Sequence, residues 1–334
     1  WFALAVSVAG LVQILMTATA WLATGKRWRR PRLRVPDQTQ TLFRRAGPGL
    51  IAAGIPQLKL IAAAAIVSSS PASVSWLYYA NRLYELPLGI ASIAIASVIV
   101  PRIALSLREG QADEHADGFA SVQSRAFEIA LGLALPAAAG FALLATPIAG
   151  VLFERGAFGS QDTIAVAAAL VAICAGLPGH VLEKVLGAIS FAKGDTHTPM
   201  LAALCGLAAA IVGGVRLFPD YGHVGVAAAI AISGWVGTTL MAGILAARGW
   251  LRIDLTAARR LPRIAVAAAV MSAVVGTALL LGHGYFPVLQ ISSLGRLAVV
   301  ATLVVLGIAV YVTALQLLGV ARLKELIAAV RQKA

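Results

Sequence analysis

Residues 73–104 read SVSWLYYANRLYELPLGIASIAIASVIVPRIA. The stretch is long and apolar enough to cross a bilayer as a helix, which takes about 20 residues. Yet Arg82 and Glu85 lie inside it. An ionised side chain near the bilayer centre costs about 2.5–3.5 kcal/mol on insertion scales, so such residues usually face a water-filled cavity or a partner. Their spacing of three puts Arg82 and Glu85 on one helix face, which Ser75, Tyr78 or Tyr79, and Gly89 continue at three- and four-residue steps. A polar stripe on a membrane helix is therefore expected. Pro87 removes one backbone hydrogen bond and crowds the carbonyl of Leu83, so a kink is expected beside the stripe.

The rest of the chain is of the same kind. Of its 334 residues 60% are hydrophobic and 12% charged, and the mean hydropathy of +0.87 excludes an ordinary soluble domain. The fold class is all-α, a polytopic membrane protein. Apolar runs between charged or Gly/Pro-rich breaks give nine spans, near 2–24, 46–68, 73–101, 126–152, 162–192, 198–217, 223–247, 264–283 and 294–318. The first run ends in KRWRRPRLR, a stop-transfer flank rather than the end of a cleavable signal. The chain is accordingly expected to be a piece of a longer protein with further segments before Trp1.

Alternating the nine spans across a bilayer sorts the charge. Arg155, Arg216 and Arg296 fall on one face, and Lys59, Arg82 and Lys184 fall within spans, leaving 21 of the 27 basic residues on the other face. That bias is the positive-inside pattern, and it places the C-terminus in the cytoplasm. The net charge of +13 is thereby a topology signal with attraction for anionic membrane lipids, and no nucleic acid partner is called for.

Charges within spans are the candidates for function. Lys59 follows Pro56 and Gln57 at a depth comparable to that of Arg82, so both cations are expected to face one cavity. Lys184, nine residues before Lys193, reads equally as a cavity residue or as one snorkelling to the interface. Glu183 and Glu128 are the remaining acids, and Glu128 reads as a surface partner of Arg125 three residues earlier. Gly234 with Thr238, and Gly206 with Ala210, suit close helix packing. Cys174 and Cys205 fall in spans, the five histidines show no ligand spacing, and no hydrolase or ATPase motif is present, so no metal, cofactor or catalytic residue is expected.

Three blocks together carry a resemblance: 73–104, quoted above, ALPAAAGFALLATPIAGVLFERGAF at 134–158, and GLPGHVLEKVLGAISFAKGDTHTPM at 176–200. They resemble the MurJ (MviN) family of lipid II flippases, in the MOP exporter superfamily, along essentially the whole chain. The resemblance implies the last nine helices of a fourteen-helix fold. Residues 1–40 would be the last helix of an N-terminal lobe and a basic cytoplasmic loop, 41–250 a six-helix C-terminal lobe, and 251–334 two extra helices forming a lipid-tail groove with a cytoplasmic tail. It also implies translocation of an undecaprenyl-pyrophosphate-linked peptidoglycan precursor across the bacterial inner membrane, with the upstream lobe supplying half of the cavity. The family's cavity arginine falls on Arg82, its motif serine on Ser75 and its motif glutamate on Glu85. Where the family has Asp, this chain has Asn81, and Lys59 stands where a neutral polar residue is usual, so the cavity is more cationic.

On this reading Arg82, assisted by Lys59, holds the pyrophosphate, and Ser75, Tyr79, Asn81, Glu85 and Lys184 support the cavity. The planar guanidinium fork can hold two phosphate oxygens at once. The alternatives are a related exporter of drugs or of another polyprenyl-linked saccharide, and a membrane enzyme acting on polyprenyl phosphates. A cation exporter calls for an acidic cavity, and the enzyme for clustered carboxylates or a metal site.

Overall fold

The computed structural model describes residues 2–23, 37–103, 116–283 and 293–320. The basic loop at 24–36, Arg108 and the basic tail beyond residue 320 lie outside the described residues. Two units are distinguished, Trp1–Arg45 and Ala46–Ala334. The first contains α1, Phe2–Ala23, a mostly apolar helix of 22 residues that covers the first expected span.

The second unit is built from helices of membrane length. Helix α2 (Asp37–Ile66) enters from the first unit and ends in a 3-10 turn, Val67–Ser69. Helix α3 (Pro71–Ala94) starts on Pro71, where a missing N–H costs nothing. It continues through Pro87 to Ala94, and its irregularity falls later than expected, at a five-residue π turn over Ile95–Ile99. Helix α4 (Ala116–Leu143) and the short α5 (Ala145–Phe153) are separated at Leu144, whose ψ of 11 leaves the helical range. Pro147 lies three residues on, and its ring crowds the carbonyl of Leu143.

The expected single span 162–192 is a broken one. Helices α6 (Ser160–Cys174) and α7 (Leu177–Ala192) meet at a bend of 41°. The cause lies in packing as well as in Pro178. A Cβ on Gly176 would sit 2.4 Å from Ala231 Cα, and one on Gly179 would sit 3.0 Å from Gly234 C, so α7 begins backbone against backbone. Groups near the break are held from the facing helix: Trp235 Nε1 donates to Ala175 O at 2.9 Å and Thr238 Oγ1 to Gly179 O at 2.6 Å.

Helix α8 (His197–Ala247) has 51 residues, about 76 Å if straight, far more than the roughly 30 Å apolar core of a bilayer. It is a hairpin. Gly222 has φ 57° and ψ −140°, a conformation that residues with a Cβ rarely adopt. Beyond it the two limbs run back along each other: Gly214 faces Val226, Gly213 faces Ala229 and Gly206 faces the carbonyl of Ser233. Helices α9 (Leu255–His283) and α10 (Ser293–Leu317) pack together, and α9 also packs on α4.

Among the described residues six helices are long and apolar enough to cross a membrane, and the bent pair α6–α7 makes a seventh span. Counting the limbs of α8 separately makes eight in the second unit, so with α1 each of the nine expected spans is helical. The boundaries moved where charge ends the apolar run without ending the helix. Helix α9 was expected from 264 and begins at Leu255, because Asp254 Oδ1 accepts the Ala257 N–H at 2.7 Å and caps it.

Contacts at the ends of the second unit sort as alternating spans require. At one end Arg248 pairs with Asp195, Gln123 Nε2 donates to Trp250 O at 2.8 Å, and Arg263 donates to Leu318 O at 3.1 Å. At the other, Trp76 Nε1 donates to Asp162 Oδ1 at 2.8 Å, the His223 ring stacks on Trp76, and Arg296 lies 3.6 Å from Glu154. Among the described residues these contacts gather Arg125, Arg248, Arg260 and Arg263 at one end of the second unit and Arg296 at the other.

One expectation at these ends is corrected. Glu128 is buried rather than on the surface, because the early start of α9 brings Arg260 over it. Its carboxylate accepts from Arg125 at 2.9 Å and from Arg260 at 3.4 Å, joining α4 to α9.

Candidate functional site

The second unit encloses a cavity of about 350 Å³ between α2, α3, α7 and both limbs of α8. Its polar lining comes from three segments read above as membrane-spanning. Helix α2 contributes Gln57 and Lys59, α3 contributes Asn81, Tyr84 and Glu85, and α7 contributes His180, Glu183 and Lys184. The α8 wall is apolar, with Ala203, Ile230 and Met241.

Glycines on α8 decide how deep the polar groups sit. A Cβ on Gly206 would lie 3.2 Å from Lys59 Nζ, one on Gly234 2.7 Å from the His180 ring, and one on Gly237 3.1 Å from Glu183 Oε1. Each polar side chain therefore lies against bare helix backbone. Lys59 is only 8% exposed, a burial that lysine rarely reaches without a partner. Tyr84, also buried, puts its hydroxyl 2.7 Å from His180 Nδ1, and that nitrogen lies 3.1 Å from Gly176 O at the α6–α7 break.

The stripe on α3 divides between the cavity and the outer surface of the unit. Glu85 and Asn81 line the cavity, whereas Arg82 is not among the lining residues, and its side chain is 69% exposed. Arg82 Nη1 donates to Glu85 Oε2 at 3.1 Å, and Asn81 Nδ2 donates to Glu85 Oε1 at 2.9 Å. One carboxylate thus anchors both neighbours, and the position where an Asp was usual serves as a donor. The pair is exposed rather than buried inside the bundle. Tyr79 packs on Phe153 and Phe158 and stands outside the cavity, and Ser75 is exposed one turn before it. Lys59 and Lys184 meet in the cavity. Lys59 and Arg82, expected in one cavity, are instead separated: Lys59 lines it and Arg82 stands outside, paired with the lining residue Glu85.

Tyr84 and His180 were not singled out from the sequence, and Glu183 was noted without a role. The signal was present: His180, Glu183, Lys184 and Gly187 recur at helical spacing on one face of α7. Lys59 and Arg82 stand 11 and 12 residues from Ser70, the turn joining their helices, which is about 16–18 Å at 1.5 Å per residue. Both therefore sit near mid-membrane depth. Among the described residues no cluster of three or more His, Cys, Asp or Glu could hold a metal ion.

Residues 1–315 match the family model described as Lipid II flippase MurJ. A curated relative from Rhizobium meliloti strain 1021, named Probable lipid II flippase MurJ, is 38% identical over 270 residues, covering 80% of this chain and 49% of that protein. The chain spans about half the length of the curated relatives it matches. Among solved structures, a lipid II flippase MurJ in an inward closed conformation aligns with a TM-score of 0.65 at 22% identity, over 85% of this chain and 56% of that one. A MOP superfamily transporter from Pyrococcus furiosus aligns at 0.53 and 19% identity, over 81% of this chain and 62% of that one. These two likenesses show the fold, a polytopic helical bundle.

Proposed function

Because this chain belongs to the lipid II flippase MurJ family, we propose that it forms the C-terminal part of a flippase that moves lipid II from the inner to the outer leaflet of the bacterial inner membrane. Residues 41–250 are the six-helix lobe, and α9 and α10 are the extra pair that follows it. The basic end of the bundle faces the cytoplasm, together with the C-terminus. The upstream part of the protein covers the face that bears Arg82.

The observation that carries this reading is the position of the cations. Lys59 and Lys184 line a cavity at membrane depth, and Arg82 stands just outside its wall with its charge turned outward. A guanidinium at mid-bilayer calls for water or a partner on that side. An anionic headgroup passing between two lobes supplies one, and Lys59 adds attraction from behind Glu85. The protein's share of the work is to replace the solvation that the pyrophosphate loses in the apolar core. Outward movement of negative charge is coupled to membrane voltage at about 2.3 kcal/mol per charge per 100 mV.

A drug-exporting relative of the superfamily that carries cations calls for a net acidic cavity. Here Glu128 is engaged away from the cavity by Arg125 and Arg260, Lys59 and Lys184 match Glu85 and Glu183 in the lining, and Arg82 just outside the wall tips the local balance to positive. The decisive experiment is Arg82→Ala in the full-length protein. Outward movement of lipid II and growth that depends on it should fall at least about tenfold, which is 1.4 kcal/mol. Normal movement would remove Arg82 from the mechanism.

A further inference from the structure

We propose that Glu183 is an exchangeable internal anion: its carboxylate balances Lys59 and Lys184 in the substrate-free cavity and takes up a proton when a phosphate or pyrophosphate group engages those two lysines. The inference rests on the reading above, in which the cavity receives an oxyanion.

The three groups differ from every other polar group in the cavity wall whose partners have been described. Glu85 is held by Asn81 and Arg82, and Tyr84 is held by His180. Lys59, Glu183 and Lys184 line one cavity and act on one another electrostatically across it, and among the described residues no hydrogen bond or salt bridge engages any of the three. Lys59 is nevertheless more than nine-tenths buried. Gly206 and Gly237 fix this spacing, because Lys59 and Glu183 lie in contact with different limbs of the α8 hairpin. Two ammonium groups are thus presented toward one space, with a single carboxylate between charge balance and excess. The volume of about 350 Å³ is at the small end for ligand pockets and suits a phosphate-sized group rather than a whole glycopeptide headgroup.

The surroundings supply no other exchangeable carboxylate. Helix α3 offers Glu85, already doubly held, and Tyr84. On α7 itself stand His180 and Lys184, and α6 brings Cys174, buried near Tyr84. The α8 limbs face Glu183 with Gly237 and the cavity with Ala203, Ile230 and Met241. On α4, Arg125 and Glu128 are engaged with each other and with Arg260.

When an oxyanion binds to Lys59 and Lys184 it withdraws their charge from Glu183 and sets a like charge beside it. Both changes favour the neutral carboxyl. The proton comes from bulk water, adds to one carboxylate oxygen and returns to water on release. More protons are then bound in the complex than in the free protein, so by linkage anion affinity rises as pH falls. One negative charge fewer is carried with each loaded cavity.

The test is calorimetry of inorganic pyrophosphate binding to the full-length protein in lipid nanodiscs, in two buffers of different ionisation enthalpy, so that proton uptake is read directly. The wild type should take up about one proton more per anion than Glu183→Gln, and Glu183→Gln should bind about tenfold tighter at pH 8 because its competitor is gone. Glu183→Asp should keep the proton uptake, and Lys59→Gln should weaken binding at least about tenfold. Undecaprenyl pyrophosphate included in the nanodiscs identifies the source. Competition assigns the site to the lipid headgroup, and its absence assigns it to free anion, with the proton linkage holding in either case. Equal proton counts in wild type and Glu183→Gln, or no pyrophosphate binding at all, would overturn the proposal. Its failure is separable from that of the transport reading, since Arg82→Ala is read by lipid movement and Glu183→Gln by protons.

Discussion

Arg82 was identifiable from sequence because its chemistry conflicts with its surroundings, an arginine in an apolar run three residues before a glutamate. What the run did not encode was direction. A helical stripe is wide enough for Glu85 to face the cavity while Arg82 faces outward, and only the position of α2 and α7 tells the two apart. Asn81 gains a defined task, donating to the carboxylate that anchors Arg82. Asn81→Asp would lose that donor and add an anion beside the path proposed for an anionic substrate, whereas Asn81→Ala would lose the donor alone. Lipid movement by the full-length protein should therefore fall further with Asp, by up to about tenfold, than with Ala. The reverse order would make the hydrogen bond more important than the charge.

At the scale of elements, each of the nine expected apolar spans is helical among the described residues, because bilayer thickness sets a length that sequence displays directly. They did not show which breaks were sharp. Pro87 passes inside a continuous α3, whereas the α6–α7 bend depends on Gly176 touching Ala231, a contact 55 residues away in sequence. Two glycines consequently fail for different reasons when replaced. Gly176→Ala forces a Cβ into backbone that cannot yield and should cost about 1–3 kcal/mol or more. Gly222→Ala meets open space but an unfavourable dihedral, and should cost about 1–3 kcal/mol through conformation alone. Thermal unfolding in detergent reads both, and a second substitution, Ala231→Gly, should rescue neither, because the nearest atom to a Cβ at position 176 is the Cα of residue 231, which glycine keeps.

For the whole molecule, the charge bias says nothing of the bonds that tie each end of the second unit together. Glu128 was read as a simple i,i+3 partner of Arg125, since Arg260 is 132 residues distant and only folding brings it near. Glu128→Ala would strand two arginines and detach the start of α9 from α4. The arginines are partly exposed, so the expected loss is about 1–3 kcal/mol, below the full cost of breaking a buried pair. Limited proteolysis within residues 248–263 should accelerate accordingly.

The same end carries a pH dependence. Asp195 is desolvated, which raises its pKa, but hydrogen bonds from Thr198, Arg248 and His197 outweigh that and hold the carboxyl below its ordinary value. A depressed folded-state pKa contributes stability that is present above the unfolded value and lost as pH falls through the folded one. Melting temperature should therefore drop more steeply on acidification, from the ordinary carboxylate range downward, in the wild type than in Asp195→Asn. Parallel curves would show that Asp195 is not the group responsible.

The hairpin of α8 also makes the chain's continuity at its tip dispensable. Its feet are clasped by Asp195 and Arg248, and its limbs touch from Gly206 and Ser233 up to Leu217 and Gly225, while Tyr221 at the tip is 65% exposed. A protease site inserted beside Tyr221 could be cut after folding without parting the limbs. The severed protein would then behave as two halves held together by packing, a built-in place to split it for labelling each half separately.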